Sequence, residues 1–439
     1  MMTGMKPLER DDLPTAHNPP TVHKSPVPSE SLRTIKTACL VVAAALALSF
    51  NVVGKTFHVS TPKQVADAAR HAVPGDDIVL AEGTYPDLKI AITAKGDKTR
   101  AVRVRAGKKG KTVLTGSPAI DIRGSFVKVE GLAFRNCVLP SGTRGAVVFD
   151  GAASSSLEGC SFQDAKLPAG AALITFRNGA HDCLVASNTF SGTRYKSVMV
   201  VVDDRALKNG APVRNRIAGN VFKDIPPLRA NGAETIQIGQ RAWPHSEIRL
   251  ETIVENNHFF RCNGEAEIIS IKASGNIVRS NLFRDNNGEL VIRHGHFNTL
   301  AGNHFEGGSG GIRVSGHGNV ITANTIRNCP ATGIRLYYGT PDLKHPASYL
   351  PVYDCLISSN LVENCAKTGI LVGDQKNAVH TDSKWAGKPW FASAVQNCTI
   401  APHNNTIFGN TIVGQAGRLL QLNDAPNNSI SNNVLRTVK

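Results

Sequence analysis

Three charged side chains interrupt a stretch that otherwise has the composition of a buried strand. The segment GEAEIISIKASGN covers residues 264–276 and contains Glu265, Glu267 and Lys272 among β-branched apolar residues. On an extended chain, residues i and i+2 face the same side, so the two carboxylates lie together. Charges beside an apolar core are costly unless something binds them. The glutamate pair therefore suits a hard divalent cation, which prefers oxygen ligands.

A third oxygen ligand is available upstream. The phrase NGAETIQIG, residues 231–239, offers Asn231 and Glu234. If the chain returns to the same place once per repeat, either residue can join the pair, and residue spacing alone does not choose between them.

Four cations recur downstream at a nearly constant spacing. Lys272, Arg293, Arg313 and Arg335 follow each other at intervals of 21, 20 and 22 residues, in the similar phrases SIKASGN, LVIRHGH, GGIRVSGH and TGIRLYYG. A repeat of this length predicts one outward column with one cation per turn. Because like charges repel, such a column suits a polyanion lying along it. The structural alternative is that each arginine pairs with a local Glu or Asp.

A recurring turn indicates the element that positions these residues. The phrase small/Asn–Asn–x–apolar recurs, for example as SNLF at 280, GNHF at 302 and ANTI at 323, with central spacings of 21 to 24 residues. Short β-branched runs between Asn/Gly turns predict a solenoid of strands. The fold class is therefore all-β, a right-handed single-stranded parallel β-helix with the repeated Asn forming a ladder. The segment TPKQVADAARHAVPGDD, residues 61–77, predicts a capping helix over the first turn.

The N-terminal region differs from the rest of the chain. Residues 1–32 are polar and Pro-rich and are predicted to be disordered. Residues 33–54 carry Arg33 and Lys36 before an apolar run, which predicts a signal peptide and a secreted or periplasmic protein. The β-helix domain is then 55–439, without stable membrane association once the signal is cleaved. Cysteines such as Cys329 and Cys365 end similar phrases in one register, so we expect buried single thiols.

The motifs in their order resemble a known family. NGAETIQIG, NGEAEIISIKASGN, GELVIRHGH and GGIRVSG are similar to polysaccharide lyase family 6, the chondroitinase B-like group that includes alginate lyases and the dermatan sulfate lyase. The resemblance covers most of 57–340 and implies the same β-helix fold. It implies that Lys272 is the Brønsted base and Arg293 the acid. It further implies that Asn231, Glu265 and Glu267 hold Ca²⁺ against a substrate carboxylate.

The chemistry implied is β-elimination on a uronic acid. A base removes the C5 proton, and positive charge near the carboxylate stabilises the enolate-like intermediate. Neighbouring cations favour the neutral form of a lysine base. We expect Arg313 and Arg335 to bind carboxylates of neighbouring sugars. His294 is an alternative proton donor, and Tyr337 or Tyr338 is expected to contact a sugar, with one of the two packing inward.

Several functional alternatives remain open at this stage. The net charge of +15 favours a polyanionic partner, and alginate is the first expectation, with dermatan sulfate as the alternative. A non-catalytic polyanion-binding β-helix would keep the arginines without needing Lys272. The pair in VVDDRA, residues 201–206, is the candidate for a hydrolase. Aromatic residues make up 6% and do not interleave with basic ones, which disfavours nucleic acid. We expect a monomer, with Trp385 and Trp390 in a late loop forming one wall of a sugar site.

Overall fold

The computed structural model describes residues 54–203, 210, 212–228, 231–241, 243–343, 348–381 and 395–438. The predicted disordered segment 1–32, nearly all of the predicted signal peptide 33–54, and Trp385 and Trp390 lie outside these residues. The described residues form three parallel sheets of 14, 13 and 12 strands and one two-stranded antiparallel pair.

Each turn of the chain contributes one strand to each of three sheets, which we call sheets A, B and C. Sheet A contains Thr56–Val59 (β1), Asp77–Leu80 (β2), Val102–Ala106 (β5), Val127–Glu130 (β8), Ser156–Glu158 (β11), Leu184–Ala186 (β14), Arg216–Ala218 (β17), Ile253–Glu255 (β20), Ile277–Arg279 (β23), Thr299–Ala301 (β26), Val320–Thr322 (β29), Leu356–Ser358 (β32), Thr406–Phe408 (β37) and Ser429–Ser431 (β40). Sheet B contains Gly83–Pro86 (β3), Thr112–Thr115 (β6), Ala133–Arg135 (β9), Ser161–Gln163 (β12), Thr189–Ser191 (β15), Val221–Ile225 (β18), His258–Cys262 (β21), Leu282–Arg284 (β24), His304–Glu306 (β27), Thr325–Arg327 (β30), Leu361–Glu363 (β33), Thr411–Gly414 (β38) and Val434–Thr437 (β41).

Sheet C positions the candidate site. It contains Lys89–Ile92 (β4), Ala119–Ile122 (β7), Val147–Asp150 (β10), Ala172–Arg177 (β13), Lys196–Val200 (β16), Ile236–Ile238 (β19), Glu267–Ile271 (β22), Glu289–Ile292 (β25), Ile312–Val314 (β28), Ile334–Tyr337 (β31), Ile370–Asp374 (β34) and Leu420–Leu422 (β39). The antiparallel pair is Val379–Thr381 (β35) with Val395–Asn397 (β36). In each sheet, every strand pairs with the strand one turn earlier and one turn later, so the predicted right-handed parallel β-helix is confirmed.

The helices are few and short. The α-helix Pro62–His71 (α1) begins after Thr61, whose side chain accepts from the N–H of Gln64 while Gln64 accepts from the N–H of Thr61. Its buried residues Val65 and Ala69 pack on the first turn, as the sequence predicted for a capping helix. A single 3₁₀ turn covers His245–Glu247. Neither helix of the described residues has the length and apolar content needed to span a membrane.

Two internal ladders hold successive turns in register. Phenylalanine rings of sheet B stack with centroids 4.4–4.9 Å apart, at Phe134, Phe162, Phe190, Phe222, Phe259, Phe283 and Phe305. The predicted asparagine ladder is also present. For example, the amide of Asn281 donates to the side-chain oxygen of Asn303 at 3.0 Å and to the carbonyl of Val254 at 3.0 Å. Because these amides are buried and satisfied, they fix the turn between sheets A and B.

The eight cysteines of the described residues are all buried free thiols, as expected from their positions in the repeat. Burial raises the pKa of Cys262 to about 12. They pack as small apolar side chains rather than as disulfides or metal ligands.

Candidate active site

Lys272 and Arg293 occupy the same position in neighbouring turns. Each directly follows a fully buried isoleucine, Ile271 at the end of β22 and Ile292 at the end of β25, and these two isoleucines pair in register. The N–H of Arg293 donates to the carbonyl of Ile271 at 2.8 Å. The amine and the guanidinium are therefore attached about one strand spacing apart, roughly 4.8 Å. The sequence spacing of 21 residues predicted this adjacency.

The expected single column of four cations is wrong. Arg313 pairs with Val291 and with Arg335, so these two arginines lie two residues earlier in the strand than Lys272 and Arg293. Two columns of two cations result. A slip of two residues keeps every arginine outward and every isoleucine inward, because strand side chains alternate with a period of two. For this reason, the sequence pattern does not distinguish one column of four cations from two columns of two.

Both downstream arginines are held in ion pairs. Arg313 contacts Glu267 two turns earlier, and Arg335 contacts Glu289. Arg335 also contacts Asp374 at 3.0 Å. The local-pairing alternative thus describes these arginines. Both guanidinium groups also lie beside one ring, that of Tyr337, at 5.4 and 5.3 Å from its centroid.

The two candidate tyrosines are both buried. Tyr337, 4% exposed, lies between the two arginines, and burial raises its pKa to about 12. Tyr338 donates its hydroxyl to the carbonyls of Asn423 and Asp424 at 2.9 and 2.7 Å. Tyr338 therefore ties sheet C to the last turn, while Tyr337 is the one that adjoins the arginines.

Three carboxylates converge beside Lys272. Glu234, Glu265 and Glu267 each place an oxygen within 4.8 Å of the others. Glu234 precedes β19 in the turn before, and is 1% exposed. Asn231 lies exposed in the turn three residues before Glu234. Glu234, the other upstream residue that the sequence offered, belongs to the carboxylate cluster, and the role of Asn231 as a metal ligand stays a prediction.

The charges of this cluster are unequally compensated. Burial, together with the nearby Glu234 and Glu267, raises the pKa of Glu265 to about 8. Burial acts in the same direction on Glu267, but Arg313 and Lys272 outweigh it and lower the pKa of that carboxyl. The three residues offer only oxygen ligands, and the cluster is partly buried. Glu265 is protonated near neutral pH because the cluster lacks positive charge. This arrangement fits a hard divalent cation such as Ca²⁺.

Glu234 also positions the candidate base. The amine of Lys272 lies 2.9 Å from one oxygen of Glu234 and its side chain is 15% exposed. A second lysine, Lys196, lies 3.4 Å from the other oxygen, and its amine donates to the carbonyl of Gly232 at 2.9 Å. Burial lowers the pKa of Lys196. The sequence analysis missed Lys196, because the turn that separates it from Glu234 is longer than the 21 to 24 residues of the central repeat.

A loop from a later turn holds Arg293. Its Nη1 donates to the carbonyl of Ser348 at 2.9 Å, and its guanidinium carbon lies 3.7 Å from the ring centroid of Tyr349. This part of the loop is fixed, since Thr340 donates its N–H to the carbonyl of Tyr349 at 2.8 Å. The sequence analysis gave no signal for Tyr349.

The two histidines after Arg293 differ in environment. His294 is buried, and its Nδ1 has no hydrogen-bond partner among the described residues. Burial and the charge of Arg293 lower the pKa of His294 well below its usual value, so its ring is neutral. His296 stacks on His317 at 3.9 Å and lies 3.4 Å from Glu247, so it supports the turn.

The candidate pair for a hydrolase falls partly outside the described residues. Asp203 is the last described residue before 204–209, so Asp204 belongs to the omitted segment. Among the described residues, one cluster of acidic residues is placed to hold a metal ion, and it consists of Glu234, Glu265 and Glu267.

Comparison with known proteins gives a consistent set of similarities. The family model for chondroitinase B matches residues 59–437. The structure of the alginate lyase AlyGC of polysaccharide lyase family 6 is similar, with a TM-score of 0.74 and 27% identity over 87% of this chain. This chain covers 51% of AlyGC, about half of its length. No curated protein matches the chain significantly.

Two further structures match over most of both chains. The family 6 polysaccharide lyase Pedsa3628 from Pseudopedobacter saltans gives a TM-score of 0.72 and 26% identity, over 86% of this chain and 92% of that one. A mannuronic-acid-specific family 6 lyase from human gut microbiota gives a TM-score of 0.68 and 25% identity, over 88% and 82%.

Proposed function

Because this chain belongs to the chondroitinase B family and is a polysaccharide lyase of the family 6 type, we propose that it cleaves alginate by β-elimination. The observation that carries the proposal is the register of Lys272 and Arg293. An amine and a guanidinium reach the same sugar from adjacent turns, beside a cluster of carboxylates. A solenoid that only binds polyanions has no use for an amine held in this position.

In the proposed reaction, the two residues act on neighbouring atoms of one sugar. Lys272, acting as the neutral amine, takes the C5 proton, and the electron pair of that C–H bond forms the C4–C5 double bond. The bond between C4 and the glycosidic oxygen breaks, and the oxygen takes a proton from Arg293 or from a water that Arg293 orients. Glu234 fixes the direction of the lysine side chain, while Ser348 and Tyr349 fix that of the guanidinium.

The substrate carboxylate needs positive charge nearby when C5 loses its proton. Glu234, Glu265 and Glu267 would hold a Ca²⁺ ion, which supplies this charge when bound. Arg313, whose side chain is 9% exposed, lies on the same face and forms an ion pair with Glu267, so it compensates the negative charge of that carboxylate.

Alginate is favoured by the similar structures. AlyGC is described as an alginate lyase and the gut-microbiota enzyme as mannuronic-acid-specific. We therefore propose alginate, with mannuronate residues at the cleaved bond. Dermatan sulfate remains the second candidate, since the matching family model is that of chondroitinase B. Alginate and dermatan sulfate are both extracellular polymers, which accords with the proposal that residues 33–54 act as a signal peptide for secretion or export to the periplasm.

The proposal is tested by incubating the protein with alginate, dermatan sulfate and chondroitin sulfate, each with added Ca²⁺ or with a chelator. The ultraviolet absorbance of the 4,5-unsaturated uronate reports elimination. We expect product from alginate, little from the sulfated polymers, and less in chelator. The matched control for the variant Lys272→Ala is Lys89→Ala, which removes an exposed lysine from the first strand of sheet C. If product forms from dermatan sulfate alone, the substrate is the second candidate rather than alginate. If no polymer gives product, the proposed lyase activity is refuted.

A further inference from the structure

Two arginines, Arg123 and Arg177, lie on the same row of sheet C as Lys272, several turns earlier, and a third, Arg144, reaches that row from the segment before β10. The inward residues Ile122, Phe149, Phe176, Val200, Ile238 and Ile271 pair in succession. The residues that follow them, Arg123, Asp150, Arg177 and then Lys272, therefore form one outward row. Three strand spacings separate Arg177 from Lys272, about 14 Å.

Arg123, Arg144 and Arg177 form a cluster around Asp150. Their three positive charges exceed the negative charge of the carboxylates beside them. Arg144 Nη1, Arg123 Nε and Arg177 Nε lie 3.3, 3.7 and 3.9 Å from the carboxylate of Asp150. A charge-assisted hydrogen bond is typically about 2.7–2.9 Å, so none of the three makes a tight pair with it. The short contact of Arg123 is with Asp121, at 2.8 Å. Three cations thus share two carboxylates.

The environment of Arg177 indicates that its guanidinium group lacks a hydrogen-bond acceptor. Its Nε is buried and has no hydrogen-bond partner among the described residues. Asp150 also accepts from the side-chain amide of Asn178, so its oxygens are not reserved for the arginines. A further carboxylate, from a bound ligand, would supply the short ion pairs that the guanidinium groups lack.

A depression lies in the two segments that precede β10 and β13, beside Arg144. It has a volume of about 460 Å³ and is lined by 141–143 and 168–171, which are small residues. Arg144 directly follows the first segment. In the second segment, the carbonyl of Gly170 accepts from Lys196 at 3.3 Å. Lys196 also donates to Gly232, whose N–H donates to Glu265 at 3.1 Å. Arg144 therefore adjoins the depression on one side, and Lys196 links its second segment to the carboxylate cluster on the other.

We propose that this depression and the neighbouring arginines that share Asp150, namely Arg123, Arg144 and Arg177, form a distal subsite that binds the carboxylate of a uronic acid several sugars away from the cleaved bond. The small lining residues leave room for a sugar ring, and a volume of this size is within the usual range for ligand sites, about 300–1,000 Å³. The proposal rests on the proposed function, because it assumes that an acidic polysaccharide runs along sheet C from Lys272.

The test compares substrates of two lengths. Steady-state kinetics are measured on mannuronate trimers and octamers for the wild type, Arg144→Ala and Arg177→Ala. The matched control is Arg261→Ala, whose side chain is 58% exposed and paired with Asp224 at 2.5 Å on sheet B, away from the row. We expect each test variant to raise KM for the octamer about fivefold with kcat unchanged, and to leave the trimer unaffected.

The outcomes separate the subsite from the lyase proposal. An unchanged octamer KM, or an equal loss on both lengths, would overturn the subsite while the lyase activity stands. If the wild type forms no unsaturated product, octamer binding is measured by calorimetry instead. Binding that weakens in Arg144→Ala and Arg177→Ala but not in Arg261→Ala would then support the subsite even though the lyase proposal fails, and unchanged binding would overturn both.

Discussion

Replacing Tyr349 with alanine tests whether the loop holds Arg293 in its working position. The ring lies 3.7 Å from the guanidinium carbon of Arg293, and the carbonyl of Ser348 accepts from Nη1 at 2.9 Å. A cation–π contact of this kind contributes about 0.5–2 kcal/mol, depending on how much water it excludes. If this energy orients Arg293 toward the departing oxygen, its loss lowers kcat about two- to thirtyfold.

The assay is the initial rate of unsaturated product from polymannuronate, with kcat and KM determined separately. We expect Tyr349→Ala to lower kcat while KM changes little, because Arg293 is proposed to act on the oxygen as the bond breaks. Tyr349→Phe keeps the ring and is expected to stay within about twofold of the wild type. Tyr353→Ala is the matched control, since Tyr353 stacks on the ring of His317.

Two results would refute this reasoning. An unchanged kcat in Tyr349→Ala would show that the ring does not orient Arg293. An equal loss in Tyr349→Phe would show that the hydroxyl matters rather than the stacked ring. A melting temperature measured for each variant separates these effects from a loss of folding.

Three further predictions follow from the packing and the charges. The pKa of Glu265, raised to about 8 from its usual 4.5, means that its proton stabilises the fold fully below pH 4.5 and that this stabilisation is lost as pH rises through 8. Because Ca²⁺ would compete with that proton, millimolar Ca²⁺ should raise Tm more at pH 9 than at pH 6, and Glu265→Gln should abolish the difference; equal shifts at both pH values would contradict the assignment. Phe283→Ala, which removes a fully packed ring between Phe259 and Phe305, should cost about 3–5 kcal/mol in chemical denaturation, and a loss below 1 kcal/mol would argue against the ladder. The eight buried thiols should resist iodoacetamide until the protein unfolds; rapid labelling of the native protein would contradict their burial.

The fold followed from the sequence because each turn repeats the same chemistry. An asparagine that bonds to the asparagine one turn on, as Asn281 does to Asn303, must recur at the turn spacing. The same regularity placed Lys272 next to Arg293, since an unbroken turn of 21 residues lies between them.

The rest of the site depended on features that a repeat does not encode. Arg313 is offset by two residues, and a two-residue slip leaves the inward and outward pattern unchanged. Lys196 and Tyr349 belong to turns longer than the central repeat, and their places are set by tertiary contacts such as those of Gly232 and Thr340. A spacing argument finds neighbours only where the spacing is conserved along the chain.

The central claim is that Lys272 removes a proton and no water is added. The most direct measurement is the mass of the oligosaccharides released from polymannuronate by the wild type and by Lys272→Ala. We predict that the wild type releases oligosaccharides that are unsaturated and carry no added water, and that Lys272→Ala binds the polymer but releases nothing. Hydrated products, or unsaturated products formed at the wild-type rate without the lysine, would contradict the account.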